Sequence, residues 1–256
     1  MLEQDIKVTI ITVCYNSELT IRDTIESVLN QTYTNIEYIV VDGKSQDNTV
    51  DIVKSYEPLF KGRMKIISEP DDGIYDAMNK GIKRATGELV GIINSDDYYE
   101  ENAVEKIVES YTGDRYAVIY GMVRVIEDEK ESMIYISSHN FLDKKMIAHP
   151  SCFVSKYIYD EIAVYNTDYI SAADFAFMFM LYKNPSVRFI PVYHVIANHR
   201  GGGVSNTLKG NVDALKVRKD LGLIPVSSYW MSVVSLYVKH AIIHTLWGRN
   251  DKKKDT

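Results

Sequence analysis

At 256 residues, 46% of them hydrophobic, the chain is long enough to bury a substantial core, as one large α/β domain or two small ones. Its formal net charge of -6, with no long basic stripe ahead of the C-terminus, gives no support to a nucleic-acid partner. Cys14 and Cys152 both sit in apolar settings and offer neither a disulfide framework nor a metal-ligand spacing, so they read as core thiols of a reducing compartment.

The first predicted strand covers 6–13, a short run rich in β-branched residues of the kind buried on both faces of a sheet. Ser17 is the expected N-cap of a helix in which Ile21, Ile25, Val28 and Leu29 recur at helical spacing, stopped at Asn30 and Gln31. The cycle repeats with a strand at 36–41, Asp47 as cap, and a helix marked by Val50, Ile52, Val53 and Tyr56. A third strand is expected at 64–68, followed by a helix over 74–85 whose stripe is Ile74, Ala77, Met78 and Ile82. A strand at 88–93 and a helix marked by Val104, Ile107, Val108 and Tyr111 close the series. Such alternation predicts a parallel sheet with right-handed crossovers. Functional loops in such sheets gather at the carboxyl ends of the strands, which puts 12–16, 42–47, 68–73 and 94–97 along one edge.

After residue 115 the rhythm changes. Segments 117–120, 122–127 and 133–136 read as consecutive strands with short turns, and 187–192 and 194–198 as two more, after a helix over 174–183. This half is expected to be α+β and antiparallel. No Gly/Ser/Pro-rich linker divides the chain, so 1–205 is expected to form one domain, with a 1–115 half and a 116–205 half, and 206–256 a C-terminal helical extension. Within the extension, 229–247 is strongly apolar, yet Ser228, Ser232, Ser235 and Lys239 draw a polar seam at helical spacing that argues against a membrane span. Two readings stay open. The helix lies on a membrane surface, anchored by Trp230, Tyr237, Trp247 and the basic tail at 249–254, or it packs on the protein's own core or in a homodimer. With a strand-like segment by Ile6 and no basic, apolar leader, the expected location is the cytoplasm, with peripheral contact on the inner face of the membrane through 229–254.

Asn94-Ser95-Asp96-Asp97 follows the apolar run 89–93 and places two adjacent carboxylates where a buried strand emerges. Charges at the rim of an apolar core are costly unless paired, and clustered acidic oxygens suit a hard divalent cation able to neutralise a diphosphate. A loop turn accounts for the same residues, since Asn, Ser and Asp all favour turns. Asp42-Gly43-Lys44-Ser45 closes the second strand with an acidic residue and a glycine turn, suited to binding a base or ribose, or to the turn alone. Asp76 and Lys80 stand four residues apart, the spacing of an ion pair on a solvated helix face. His199 and Arg200 precede three glycines, a segment able to fold over a diphosphate or to serve as a plain flexible connection.

Taken together, Thr12-Val13-Cys14-Tyr15-Asn16, Val41-Asp42-Gly43-Lys44-Ser45 and Asn94-Ser95-Asp96-Asp97 resemble, in order and spacing, the family 2 glycosyltransferases of the GT-A fold. The stretch from Glu69 to Gly81 is similar to a subgroup of bacterial polysaccharide and lipopolysaccharide biosynthesis transferases, and the resemblance runs from about residue 6 to 205. It implies a Rossmann-like, mostly parallel sheet with helices on both faces, a nucleotide-sugar-binding half at 1–115 and an acceptor-side half at 116–205. It also implies an inverting transfer from a nucleotide-sugar donor, a UDP-sugar favoured over a GDP-sugar, to a glycan or lipid-linked saccharide acceptor, with Mn²⁺ or Mg²⁺. Carried over by position, Thr12, Tyr15 and Asn16 line the nucleotide pocket and Asp42 meets the base. Asp76 and Lys80 fall in the next donor-binding stretch, Ser95 lies in the nucleotide-sugar-binding loop, Asp96 contacts the ribose or a metal-bound water, and Asp97 ligates the metal; His199 is the candidate to complete the metal site, although a lone histidine is more often structural. Lys44 replaces the usual small residue, which bears on the identity of the base.

Inversion requires a base that takes the acceptor's proton as its oxygen attacks the anomeric carbon. Asp174, in Ser171-Ala172-Ala173-Asp174-Phe175, resembles the family's base segment, although an N-cap reads the same, and Asp168 is in reserve. His149-Pro150-Ser151 is similar to a family segment near the sugar pocket, or forms an ordinary turn. A sugar nucleotidyltransferase would carry a Gly-rich basic loop where Tyr15-Asn16-Ser17-Glu18 stands, and a dehydrogenase a G-x-G-x-x-G after Val13. The remaining alternative is a catalytically inactive GT-A-like scaffold subunit of an envelope assembly complex, against which the presence of both Asp97 and Asp174 weighs.

Overall fold

The computed structural model describes residues 6–128, 130–201 and 207–251, with side chains to 242 in the last helix. Its centre is the run of strands β1 (Val8–Cys14), β2 (Ile36–Asp42), β3 (Met64–Ser68) and β4 (Leu89–Asn94), in which β1 and β2 are buried at every position. Period-two alternation sends their side chains into two apolar layers. Val8, Ile10, Cys14, Tyr38 and Val40 pack on one face with α1 (Ile21–Leu29), α2 (Thr49–Tyr56) and α4 (Ala103–Ser110). Ile11, Val13, Ile39 and Val41 pack on the other with α3 (Ile74–Arg84) and α6 (Ala173–Lys183). Close approach of α3 depends on Gly81, where a Cβ would sit 2.6 Å from Ile11 Cγ2.

One mixed sheet runs β3-β2-β1-β4-β8-β6-β9-β5, with β7 on β6, through strands β5 (Tyr98–Tyr99), β6 (Ala117–Glu127), β7 (Lys130–Tyr135), β8 (Cys152–Ser155) and β9 (Arg188–Arg200). β1 pairs parallel with β2 and β4, and β2 with β3, as alternation predicts. Helices α5 (Lys156–Glu161), α7 (Leu208–Asp220) and α8 (Val226–Asp251) complete the described elements.

The later half departs from expectation in three ways. Segments 117–120 and 122–127 are one strand, because Gly121 is a close-approach point and not a turn: a Cβ there would lie 2.3 Å from Ile196 Cγ1. Likewise 187–192 and 194–198 form the single strand β9, which absorbs Pro191 and the exposed Tyr193 beside a register shift opposite Tyr120 and Met122. The pairing is mixed, since β6 runs parallel to β9 and antiparallel to β7 and β8. In the first half, Ser17 is not the cap of α1. Its carbonyl accepts from Thr20 and Ile21 in a turn ahead of the helix, and Thr20 occupies the cap position.

α8 splits its polar seam, with Ser235 and Lys239 exposed. Ser228 and Ser232, two members of the polar seam, are half-buried along with Leu236 and the buried Val233, while Trp230, Met231, Val234, Tyr237, Val238 and Ile242 are exposed. No helix among the described residues is long and apolar enough to cross a membrane.

Candidate active site

The carboxyl ends of β1, β2 and β4 meet at one rim, and hydrogen bonds lace their loops together. Asn16, with φ of 50°, donates its N–H to Ser45 Oγ (2.8 Å) and accepts from the N–H of Gln46 (2.8 Å). Ser17 Oγ meets Ser95 Oγ at 2.8 Å, so Ser95 ties the acidic loop to the loop after β1. Tyr15 stands beside them, 61% exposed.

Two expected pocket residues are placed differently. Thr12 is fully buried in β1, its Oγ1 accepting from Tyr38 Oη (3.0 Å), because its position in the strand points it into the α1–α2 layer; it lines no nucleotide pocket. Asp42 is 1% exposed and braces its own loop. Its carboxylate accepts from Ser45 Oγ (2.5 Å), Ser68 Oγ (2.7 Å) and the N–H groups of Lys44 (3.2 Å) and Ser45 (3.2 Å), and Lys44 takes the left-handed φ of 68° that favours glycine. A base could reach the Asp42 carboxylate only by displacing one of these donors. Asp47 holds the start of α2 from one residue outside its cap, through Thr49 N–H (3.0 Å) and Oγ1 (2.6 Å). Asp76 and Lys80 form the expected ion pair at 2.9 Å, and Lys80 also donates to the carbonyl of Pro70 (2.6 Å). The bond between the two side chains lowers the Asp76 carboxyl and raises the Lys80 ammonium.

The acidic pair divides into a buried and a half-buried member. Asp97 is fully buried, its Oδ1 accepting from Arg200 N–H (3.0 Å) and facing His199 Nδ1 at 2.9 Å, while its carbonyl accepts from Thr24 Oγ1 (2.6 Å). The Asp97 partner raises the pKa of His199. Asp96 is half-buried, and burial followed by the Asp97 charge raises its carboxyl. Arg200 reaches Asp23 (2.6 Å) and the Asp96 carbonyl (3.2 Å), so it clamps α1 to the acidic loop. Residues 202–205 of the glycine segment lie outside the described residues.

Across from this rim, Asp174 is the second residue of α6, with Ala172 at the cap position, so its carboxylate is not an N-cap. Tyr75 Oη donates to Asp174 Oδ1 at 2.9 Å, and burial followed by the Asp174 charge raises the phenol. Tyr75 lies inside the 69–81 stretch, yet nothing in the sequence ties it to a residue 99 positions later. His149 is half-buried, its Nε2 meets Tyr165 Oη at 2.9 Å, and the charges of Asp174 and Asp97 act to raise its pKa. Burial lowers its pKa despite both carboxylates. Asp168, the reserve residue, is exposed on the preceding loop.

Among the described residues no three His, Cys, Asp or Glu side chains close into a complete cation cage. A magnesium-type ion does not need one, because it binds through one or two carboxylates and keeps water and substrate phosphate oxygens. Asp97 and His199 supply an oxygen and an imidazole side by side, and Asn94 Oδ1 at the end of β4 is buried with no hydrogen-bond partner. This donor set fits a hydrated divalent ion.

A mixed sheet whose parallel run β3-β2-β1-β4 carries an acidic strand exit at its carboxyl edge, with helices on both faces, is the architecture of a GT-A glycosyltransferase. Residues 9–188 match glycosyl transferase family 2, and the chain belongs to that family. It is similar to a PGL/p-HBAD biosynthesis glycosyltransferase of Mycobacterium bovis (strain BCG / Pasteur 1173P2), 29% identical over 220 residues that cover 82% of this chain and 86% of that protein. It is 34% identical over 178 residues to an uncharacterized glycosyltransferase of Mycobacterium tuberculosis (strain CDC 1551 / Oshkosh), covering 67% of each. Among solved structures, S. aureus TarS 1-349 in complex with UDP-GlcNAc superposes with a TM-score of 0.70 at 17% identity, over 91% of this chain and 72% of that one. The mannosyltransferase PcManGT from Pyrobaculum calidifontis, in complex with GDP-Man and Mn²⁺, gives 0.65 at 17% identity, over 91% and 69%.

Proposed function

We propose that the chain transfers a sugar with inversion from a nucleotide sugar, a UDP-sugar before a GDP-sugar, to a hydroxyl of a glycan or lipid-linked saccharide in cell-surface polysaccharide assembly. The observation that supports this reading is the Asp97–His199 pair at 2.9 Å beside the unpartnered Asn94 Oδ1 at the carboxyl end of β4, with Asp174, held by Tyr75, read as the carboxylate that faces it. Tyr15, Asn16, Ser95 and Asp96 border the nucleotide, with Asp42 beneath the loop that shapes the base pocket. Asp76 and Lys80 border the donor from α3. Asp97 and His199 hold Mn²⁺ or Mg²⁺, which when bound neutralises the charge left on the departing diphosphate. Asp174 takes the proton of the acceptor hydroxyl while its oxygen bonds to the anomeric carbon and the bond to the diphosphate oxygen breaks on the opposite face. Tyr75 keeps one oxygen of Asp174 occupied and leaves the other for that proton.

A thermal-shift panel of UDP-, GDP- and TDP-sugars with Mn²⁺ tests the donor, because a true donor stabilises the native state by mass action. UDP binding with Mn²⁺ and no hydrolysis or transfer of any donor would favour the inactive scaffold instead.

The exposed apolar face of α8 supports a second reading, peripheral contact with an anionic bilayer. Residues 206–256 carry nine basic and four acidic side chains, a formal +5, against -11 for the 205 residues before them. Trp230 and Val234, four residues apart on one face, are 60% and 59% exposed, the pattern of a helix lying in an interface. Flotation with vesicles containing phosphatidylglycerol, but not with pure phosphatidylcholine, is expected, and Trp230→Ser with Val234→Ser should abolish it. A concentration-dependent dimer that ignores vesicles would assign this face to a second copy.

A further inference from the structure

α6 begins without a capping side chain of its own, since Ala172 holds the cap position. The loop that leads into it is held instead from another helix, beyond the stretch that matches the family. Asp213 of α7, 5% exposed, accepts at Oδ2 from the backbone N–H groups of Ile170 (2.9 Å), Ser171 (2.9 Å) and Ala172 (3.2 Å). Bonds to an ionised acceptor are roughly twice as strong as neutral ones. Around this anchor Ser171 Oγ donates to the Gly210 carbonyl (3.2 Å), Lys216 Nζ to the Asp168 carbonyl (3.2 Å) and Tyr169 Oη to Asp220 Oδ2 (3.2 Å). Gly210, Asp213, Lys216 and Asp220 recur at three or four residues, so one face of α7 is given over to loop 168–172.

We propose that Asp213 is a positioning residue for the transfer reaction. Pinning 170–172 sets where α6 starts, and Asp174 stands two residues after the last pinned N–H. Tyr75 then orients the carboxylate that the anchored backbone has placed. Two constraints from opposite directions are what a base needs, because a displacement of about 1 Å at a reacting group costs about 100-fold in rate. The role rests on Asp174 as base, and it makes the helical extension part of the catalytic unit.

The test uses the full chain and the nucleotide sugar, from UDP-glucose, UDP-N-acetylglucosamine and GDP-mannose, that most raises the melting temperature with Mn²⁺. Nucleoside diphosphate release to water is measured as kcat and donor KM. Asp213→Ala is expected to lower kcat by about tenfold or more with donor KM within about twofold. Asp213→Asn keeps an oxygen for the three N–H groups and should recover most of the loss. Equal falls for both variants, a change confined to KM, or an unchanged kcat would overturn the proposal. If Asp213→Ala does not fold, Lys216→Met with Asp220→Ala loosens the same loop from its outer contacts, and an unaltered kcat there overturns it as well. Asp174→Asn, run in parallel, separates the two ideas. Normal turnover in that variant removes the base assignment, whereas an inactive Asp174→Asn beside an unimpaired Asp213→Ala removes only the positioning role.

Discussion

The region around β2 and the region from the exit of β4 to the start of α6 hold their acidic side chains in different ways. Around β2, Asp42, Asp47 and Glu37 bond to donors on their own loop or on adjoining strands and connections, and their oxygens are consumed by that bracing. At the exit of β4 and the start of α6, Asp97 is held by His199 and Arg200 and Asp174 by Tyr75, partners about a hundred residues away. A carboxylate saturated locally maintains a loop's shape. One fixed by a few distant partners keeps coordination capacity for a cation or a proton, and it reports whether the tertiary structure is assembled. Asp42 and Asp97 share their residue type and a place at a strand exit, so neither property separates bracing from chemistry.

The largest effect that sharpens this contrast is expected at Asp174. Asp174→Asn should lower turnover by about 10²–10⁴ with donor binding retained, the usual contribution of a general base; near-normal turnover measured by nucleoside diphosphate release would eliminate it. Next comes Asp97→Ala, which should abolish Mn²⁺-dependent nucleotide binding in a titration calorimeter and leave any metal-independent binding in place. Unchanged binding would assign Asp97 to the braces.

Glu37 offers the matching experiment on the bracing side. Although burial opposes its charge, hydrogen bonds from Lys65, Thr9 and Thr86 outweigh that and pull its pKa from 4.5 to about 2. A carboxylate lowered on folding contributes stability that is complete above its unfolded pKa and is lost as pH falls from there through the folded value. Wild-type protein should therefore lose about 3 kcal/mol between about pH 4.5 and pH 2 through this group, and Glu37→Gln should lack that slope in denaturant titrations while leaving kcat unaltered at neutral pH. The smallest effect is expected at Lys80→Ala. A partly exposed four-residue ion pair contributes about 0.3–0.5 kcal/mol, so a melting shift of that order with an unchanged donor KM makes it structural, and a large rise in KM places it on the donor.

The β1-α1-β2-α2-β3-α3-β4 order was legible because each element is short, continuous and locally periodic, and the strand exits at 42 and 94–97 follow directly from where apolar runs stop. Thr12 shows the limit within that half: a motif position alone does not say which side of the strand faces the rim, and the observed register turned the hydroxyl onto Tyr38. In the later half Gly121 looked like a turn in one dimension and proved to be the contact that lets β9 lie beside β6. β8 has only four residues, too few to carry a period, and the weakly patterned α7 earns its place by hydrogen bonds to loop 168–172 that its own pattern does not announce.

By itself, then, the sequence determined the alternation of buried strands and amphipathic helices, the edge on which the loops gather and the acidic character of that edge, since all three arise from interactions between near neighbours. Only the tertiary structure decided that Asp97 meets His199, that Tyr75 and Asp213 converge on the start of α6 from opposite ends of the chain, and that α8 turns its apolar side outward. Those are contacts between distant residues, and their geometry exists only once sheet register and helix packing have brought the segments together.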